Sequence, residues 1–176
     1  MSSDGADAMP YHINAIGLDI EKSAVAMATD YPEDVLYMVA DLARIPVADK
    51  SIHLILNILT PANYKEFSRI LMDDGLVLKV IPGTDYLKEI RAILEEESEP
   101  DAPDNATLNY NEGKIDIAYR QRIHDTCEVP DAHRHLFFEM SPLTKGKTIS
   151  DYDIKKLKAI TIDYELILGR PNIKLI

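Results

Sequence analysis

AIGLDIEKSA, residues 15–24, decides how the rest of the chain is read. Aliphatic residues lead up to a single acid, Asp19, and a helical pattern follows at once, with Ala24, Val25 and Ala28 on one face of Lys22–Ala28. A strand is predicted over Ala15–Ile20. Its apolar run is continuous, as in a parallel strand covered on both faces. Open α/β sheets bind ligands beyond the carboxyl ends of their strands. A carboxylate placed there can accept hydrogen bonds from both hydroxyls of a ribose. A local role is equally open: Asp19 can accept a backbone N–H of the helix that starts near Glu21.

Working outward, the same unit recurs. Asp30, Tyr31 and Pro32 end the first helix, and Val35–Val39 predicts the next strand. In VADLARIPVADKSIHLIL, residues 39–56, a second acid, Asp41, follows that strand directly. It can accept from an adenine amino group, with Leu42 lining the ring, or it can simply form a turn. Two acids at consecutive strand ends are more specific than either alone. Asp41–Lys50 reads as a loop and Ile52–Leu56 as a strand. Thr60-Pro61 is predicted to open a helix through Leu71, Asp73-Asp74-Gly75 a turn, and Leu76–Ile81 a strand closed by Pro82-Gly83. Tyr86–Glu97 is predicted helical, with Leu87, Ile90 and Leu94 at helical spacing.

After the acidic stretch EEESEPDAPDN, residues 95–105, the pattern changes. Ile115, Ile117, Tyr119, Gln121 and Ile123 alternate with period two, as in an antiparallel or edge strand. Ala132–Met140 and Ser150–Leu157 read as helices, the second with Ser150 as N-cap. Ile160 to Leu168 alternate again in a last strand. The fold class is therefore α/β, Rossmann-like: a mostly parallel sheet with an antiparallel pair near the C-terminus, in one domain over residues 1–176. Nicotinamide-binding sheets stay parallel, whereas a late antiparallel strand marks the S-adenosylmethionine methyltransferase sheet.

Composition narrows the classes. The 176 residues are 46% hydrophobic, enough for one core, and no apolar stretch spans a bilayer. MSSDGADAMP lacks the basic and apolar regions of a signal peptide, so a cytoplasmic location is expected. Cys127 is the single cysteine, which excludes a disulfide framework and a cysteine-rich zinc site. A net charge of −11 argues against a self-sufficient nucleic-acid binder. Arg120, Arg122 and His124 can touch RNA phosphates, but they also form the outward face of an alternating strand, and that second role is favoured. His133 and His135 lie two apart and make a poor metal pair on a helix.

GLDIEKSA, VADLARIPVADKSIHLIL and NILTPANYKEFSRILMDDGLVLKVIPG together resemble a class I S-adenosylmethionine-dependent methyltransferase, and more narrowly the 23S rRNA (guanine-N1)-methyltransferase family. Thr60-Pro61 after a strand, Pro82-Gly83 before TDYLKEI, and Met140-Ser141-Pro142-Leu143 carry the narrower match, which covers about residues 5–170. The resemblance implies S-adenosylmethionine as cofactor and rRNA as substrate of the complete protein. It implies that Asp19 and Ile20 bind the cofactor's ribose side and that Asp41 and Leu42 flank the adenine. It implies that Asn57, Leu59, Thr60 and Pro61 line the methyl-transfer site and that Met140, Ser141 and Pro142 border the substrate. Pro61 also suits the first position of a helix, and MSPL suits a turn that ends one.

Two features of that family are missing. One cysteine cannot build its four-cysteine zinc module. Its glycine-rich loop of the E/D-x-G-x-G-x-G kind also has no counterpart, since only Gly5 precedes Gly17 and residues 6–10, ADAMP, resemble the end of the helix after that loop. The first strand is thus expected to be absent and cofactor binding impaired. Open strand edges are expected to favour a homo-oligomer. Two alternatives remain beside an rRNA methyltransferase domain: a non-catalytic, methyltransferase-like interaction module, and a small-molecule methyltransferase.

Overall fold

The computed structural model describes residues 14–30, 34–94 and 113–172. The N-terminal segment through residue 13, the acidic stretch 95–105, and Tyr31 and Pro32 lie outside the described residues. The chain divides into two compact units, Met1–Pro46 and Val47–Ile176.

In the first unit, β1 (Ala15–Asp19) pairs in parallel with β2 (Val35–Val39). Helix α1 (Lys22–Ala28) makes the crossover. The register sets Asp19 against Val39, so both strands end at one edge. Ala40 N–H donates to the Asp19 carbonyl at 2.9 Å and continues the ladder to the residue before Asp41.

The second unit holds a four-stranded sheet in the order β3-β4-β6-β5. Its strands are β3 (Ile52–Ile58), β4 (Leu71–Pro82), β5 (Ile115–Glu128) and β6 (Ala159–Pro171). β3 and β4 are parallel, and β6 is antiparallel to both β4 and β5. The strand types expected from continuous and alternating runs are therefore found. The C-terminal ends of β3, β4 and β5 share one edge of this sheet. Helices α2 (Tyr64–Ile70) and α3 (Lys88–Ile93) lie on either side of β4 in sequence, and α4 (Arg134–Met140) and α5 (Asp151–Lys156) come between β5 and β6. Leu87, Ile90, Val129, Phe138, Leu157 and Ile160 form a core cluster, and α2 buries Tyr64, Phe67 and Ile70.

Several boundaries differ from expectation. Helix α2 does not start at Thr60-Pro61. Asn63 caps it, its side chain accepting the Glu66 N–H at 3.2 Å. Thr60 and Pro61 stay in a loop because their carbonyls are bonded to side chains of the sheet. Asp73-Asp74-Gly75 is not a turn between elements but lies within β4, at a register shift where Ile52 faces Leu71 and Leu54 faces Leu76. β4 thus advances five residues against two on β3, and the extra residues bulge. Gly75 fits there because a Cβ would lie 3.1 Å from the Ile52 carbonyl. α3 starts at Lys88 rather than Tyr86, since Leu87 takes a left-handed φ of 54° just before it, and residues 95–97 of the expected helix lie outside the described residues. The helix expected over Ala132–Met140 opens with a 3-10 turn at Asp131–His133. Ser150 caps α5 as expected, accepting the Asp153 N–H at 3.1 Å.

Candidate functional site

The first unit carries Asp19 and Asp41 at adjacent strand ends. Each uses one carboxylate oxygen locally. Asp19 Oδ1 accepts the Glu21 N–H and Asp41 Oδ1 accepts the Ala43 N–H, both at 2.8 Å. These are Asx turns, in which a short acid holds the backbone two residues on. They also orient the side chains, and among the described residues nothing occupies either Oδ2. Asp19, Ile20 and Asp41 are exposed and Leu42 is half-buried. The two carboxylates can each accept a donor, and Ile20 and Leu42 supply apolar surface beside them.

The second unit carries Asn57, Leu59, Thr60 and Pro61 where β3 ends. Asn57 is buried and bridges the loop, its Nδ2 donating to the Pro61 carbonyl at 3.0 Å. Leu59 takes a left-handed φ of 51°, and its N–H donates to the Val80 carbonyl at 3.0 Å. This strained turn exposes Leu59, Thr60 and Pro61.

Beneath the loop lies a residue not singled out by the sequence: Lys79 of β4, the register partner of Asn57 and only 4% exposed. Its Nζ donates to Asn57 Oδ1 at 2.5 Å and to the Thr60 carbonyl. No carboxylate pairs with it among the described residues, and burial pushes its ammonium down to about 8. The signal was present in LVLKVIP, where one lysine interrupts an otherwise apolar strand.

Met140, Ser141 and Pro142 sit elsewhere in the second unit. Met140 ends α4, and Pro142 opens the 3-10 turn Pro142–Thr144. Ser141 is buried and engaged in this turn, where its Oγ accepts the Leu143 N–H at 3.3 Å. Met140 lines a pocket of about 250 Å³ with Tyr86, His133, Phe137 and Tyr164, and none of Asn57, Leu59, Thr60 or Pro61 lines it. The structure thus brings Asn57, Thr60 and Pro61 together and leaves the Met140 segment as a helix-ending turn beside a separate pocket.

The basic residues of β5 are held by acids. Arg120 is paired with Glu165 across the β5–β6 ladder. Arg122 reaches both oxygens of the fully buried Asp163 at 2.8 Å, and His124 lies 3.0 Å from Asp85. The Arg122 guanidinium, with the Asp85 N–H, holds the Asp163 carboxyl below its usual range. These contacts account for Arg120, Arg122 and His124 as the charged face of a strand. Asp85, His124 and Asp163 place ligand atoms within 4.8 Å of one another. A cation there would meet the Arg122 charge already seated on both Asp163 oxygens.

No family model matches the chain. A Bacillus subtilis (strain 168) protein named "Putative 23S rRNA (guanine-N(1)-)-methyltransferase YxjB" is 30% identical to it over 158 residues, covering 87% of this chain and 56% of that protein. The chain is thus similar in sequence to proteins named as 23S rRNA (guanine-N1)-methyltransferases. It spans just over half the length of that curated relative. Among solved structures, the MccD protein aligns with a TM-score of 0.53 at 13% identity, over 90% of this chain and 80% of that one. A complex described as holding the Haloferax volcanii Trm112 methyltransferase activator and "the putative methyltransferase" aligns with a TM-score of 0.50 at 16% identity, over 89% of this chain and 71% of that one. The fold is that of the class I, Rossmann-like methyltransferases. Among the described residues, no helix is long and apolar enough to cross a membrane.

Proposed function

We propose that this chain is the S-adenosylmethionine-binding part of a cytoplasmic methyltransferase that modifies N1 of a guanine in 23S rRNA. The observation that carries this reading is the 30% identity over 87% of the chain to a protein bearing that name. The geometry supports it at two points. Asp19 and Asp41 end neighbouring parallel strands, each with one oxygen fixed by a local turn and the other available. Acids at the ends of two paired parallel strands suit the ribose and adenine of one adenosine, with Ile20 and Leu42 beside them. The Asn57–Pro61 turn is held rigid from below, as a surface that positions a methyl acceptor must be. Met140, Ser141 and Pro142 then contribute through the turn they build rather than through the Ser141 hydroxyl.

The net charge of −11 assigns most of the RNA affinity to other parts of the complete protein. A self-associated chain is supported by Leu54, Leu56 and Ile58 of β3, which are about half exposed on the end strand of its sheet among the described residues. The same apolar surface favours a second reading, in which the chain is an interaction module without catalysis. A monomer in sedimentation equilibrium would argue against self-association.

Calorimetric titration with S-adenosylmethionine separates the two readings. The methyltransferase reading expects micromolar binding. It also expects Asp19→Ala to weaken binding about 10- to 100-fold, the loss of hydrogen bonds to a charged acceptor. Transfer of labelled methyl to 23S rRNA, read as a block to reverse transcription at one guanine, is the test that follows. A chain that binds no cofactor is the interaction module.

A further inference from the structure

Lys79 is a cationic side chain at a position that calls for an aliphatic one. Its neighbours along β4, Val77, Val80 and Ile81, are buried aliphatics, and Lys79 is as buried as they are. Lysines are almost never buried this far without a counter-charge. An ammonium in such a place is costly, and the usual outcome is loss of its proton. The contacts fit that outcome. An ammonium has three donors, whereas a neutral amine has two donors and a lone pair. The structure offers Lys79 two acceptors, Asn57 Oδ1 and the Thr60 carbonyl, and no carboxylate among the described residues. Those two acceptors satisfy a neutral amine completely and leave its lone pair over.

Both acceptors belong to the turn proposed to hold the methyl acceptor, so the amine lies directly at that turn. We propose that the Lys79 amine is the proton acceptor for the guanine N1–H. This rests on the reading of the chain as a guanine-N1 methyltransferase. N1 bears a proton that must leave for its electron pair to become the nucleophile. In the balanced step the proton passes to Lys79 Nζ, the N1–carbon bond forms, and the sulfur–methyl bond of the donor breaks. The products are methylguanine, a neutral thioether and the Lys79 ammonium. The positive charge moves from sulfonium to ammonium, so none is created. Asn57 positions the amine, since its amide accepts from Lys79 and donates to the Pro61 carbonyl.

Two measurements test the proposal. The first needs no substrate: titration of the Lys79 ε-methylene carbon by NMR in the whole chain, the signal being identified by its absence in Lys79→Met. A midpoint near 8 is expected, against about 10.4 for exposed lysines; a midpoint with the exposed lysines overturns the proposal. The second is methyl transfer to 23S rRNA by the complete protein as a function of pH. The wild-type rate is expected to rise tenfold per pH unit up to about 8 and then level off. Lys79→Met is expected to lose 10²- to 10⁴-fold, and Lys79→Ala, which leaves room for a small amine, to recover in part with added ethylamine, which a purely structural lysine would not allow. A Lys79→Met rate within threefold of wild type, or a Lys79→Ala loss that ethylamine does not relieve, overturns it. Absence of methyl transfer in the wild type with a Lys79 midpoint near 8 overturns the methyltransferase reading and, with it, the amine's part in that step. A high midpoint with intact transfer overturns the amine alone.

Discussion

The two parallel strand pairs have the same connection and opposite burial. β1 and β2 cross over through α1, and α1 buries no residue at all. β3 and β4 cross over through α2, which buries Tyr64, Phe67 and Ile70, and β6 closes the far edge of β4. The first pair is held by its backbone ladder and by Asx turns. The second is held by packing and by groups taken out of water. The candidate ligand groups follow this division. Asp19 and Asp41 are exposed acids set by local bonds, whereas Asn57 and Lys79 are buried and set by each other. Exposed carboxylates remain open to a ligand. A buried amine has its ionisation changed by its surroundings, which is where altered proton chemistry is found.

The contrast is broken most severely in the core of the second unit. Phe67 is 1% exposed and meets Tyr64 edge-on, with ring centroids 5.9 Å apart. Phe67→Ala removes a buried ring from a site that can collapse only partly. A loss of about 3–5 kcal/mol is expected in urea unfolding followed by circular dichroism. A loss under 1 kcal/mol would mean that α2 is not packed as described.

An intermediate effect is expected at Asp163. Its carboxyl is held below the usual value of 3.8, first by the Arg122 hydrogen bonds. The folded-state value is therefore lower than the unfolded one. The stabilisation is fully present above about pH 4 and is lost as pH falls through the folded-state value. Asp163→Asn is expected to cost about 1.5–3 kcal/mol at pH 7, the range for hydrogen bonds to a charged group. The difference from wild type should shrink as pH falls below about 4. A difference independent of pH would assign the loss to packing beside Gly83, where a Cβ would overlap the Asp163 carboxylate.

Much of this was legible in the sequence where one local rule acts alone. The bounds of α1 and β2 follow from apolar runs and helical spacing, and the Ser150 cap follows from its position. The rest depended on partners distant in sequence. Thr60-Pro61 has the signature of a helix start, yet Asn57 and Lys79 bind the carbonyls of Pro61 and Thr60 and keep the loop open. Asp73-Asp74-Gly75 has turn composition, yet pairing to β3 draws it into a bulged strand. Arg120 and Arg122 can be read as an RNA surface, though the outward face of a strand is favoured, and Glu165 and Asp163 across the ladder account for them as that face. The candidate site divides in the same way. Asp19 and Asp41 are visible because strand ends are visible, while Lys79 gains its meaning only from the register that sets it opposite Asn57.

The smallest effect is expected in the first unit, and it sharpens the contrast from the other side. Leu36 is the second residue of β2, in an apolar run that would suggest a core position, yet it is 61% exposed. Leu36→Ala removes little buried area, so a change within about 0.5 kcal/mol is expected in the same urea measurement. Self-association gives the experiment a second use. If another chain covers this face, Leu36→Ala will lower stability in a way that grows with protein concentration, because a partner that binds only the folded form stabilises it by mass action. An effect that is small at every concentration leaves the β1–β2 pair dependent on its ladder and turns. A loss as large as that of Phe67→Ala at every concentration would mean that this pair has a core of its own, and the two strand pairs would no longer differ in kind.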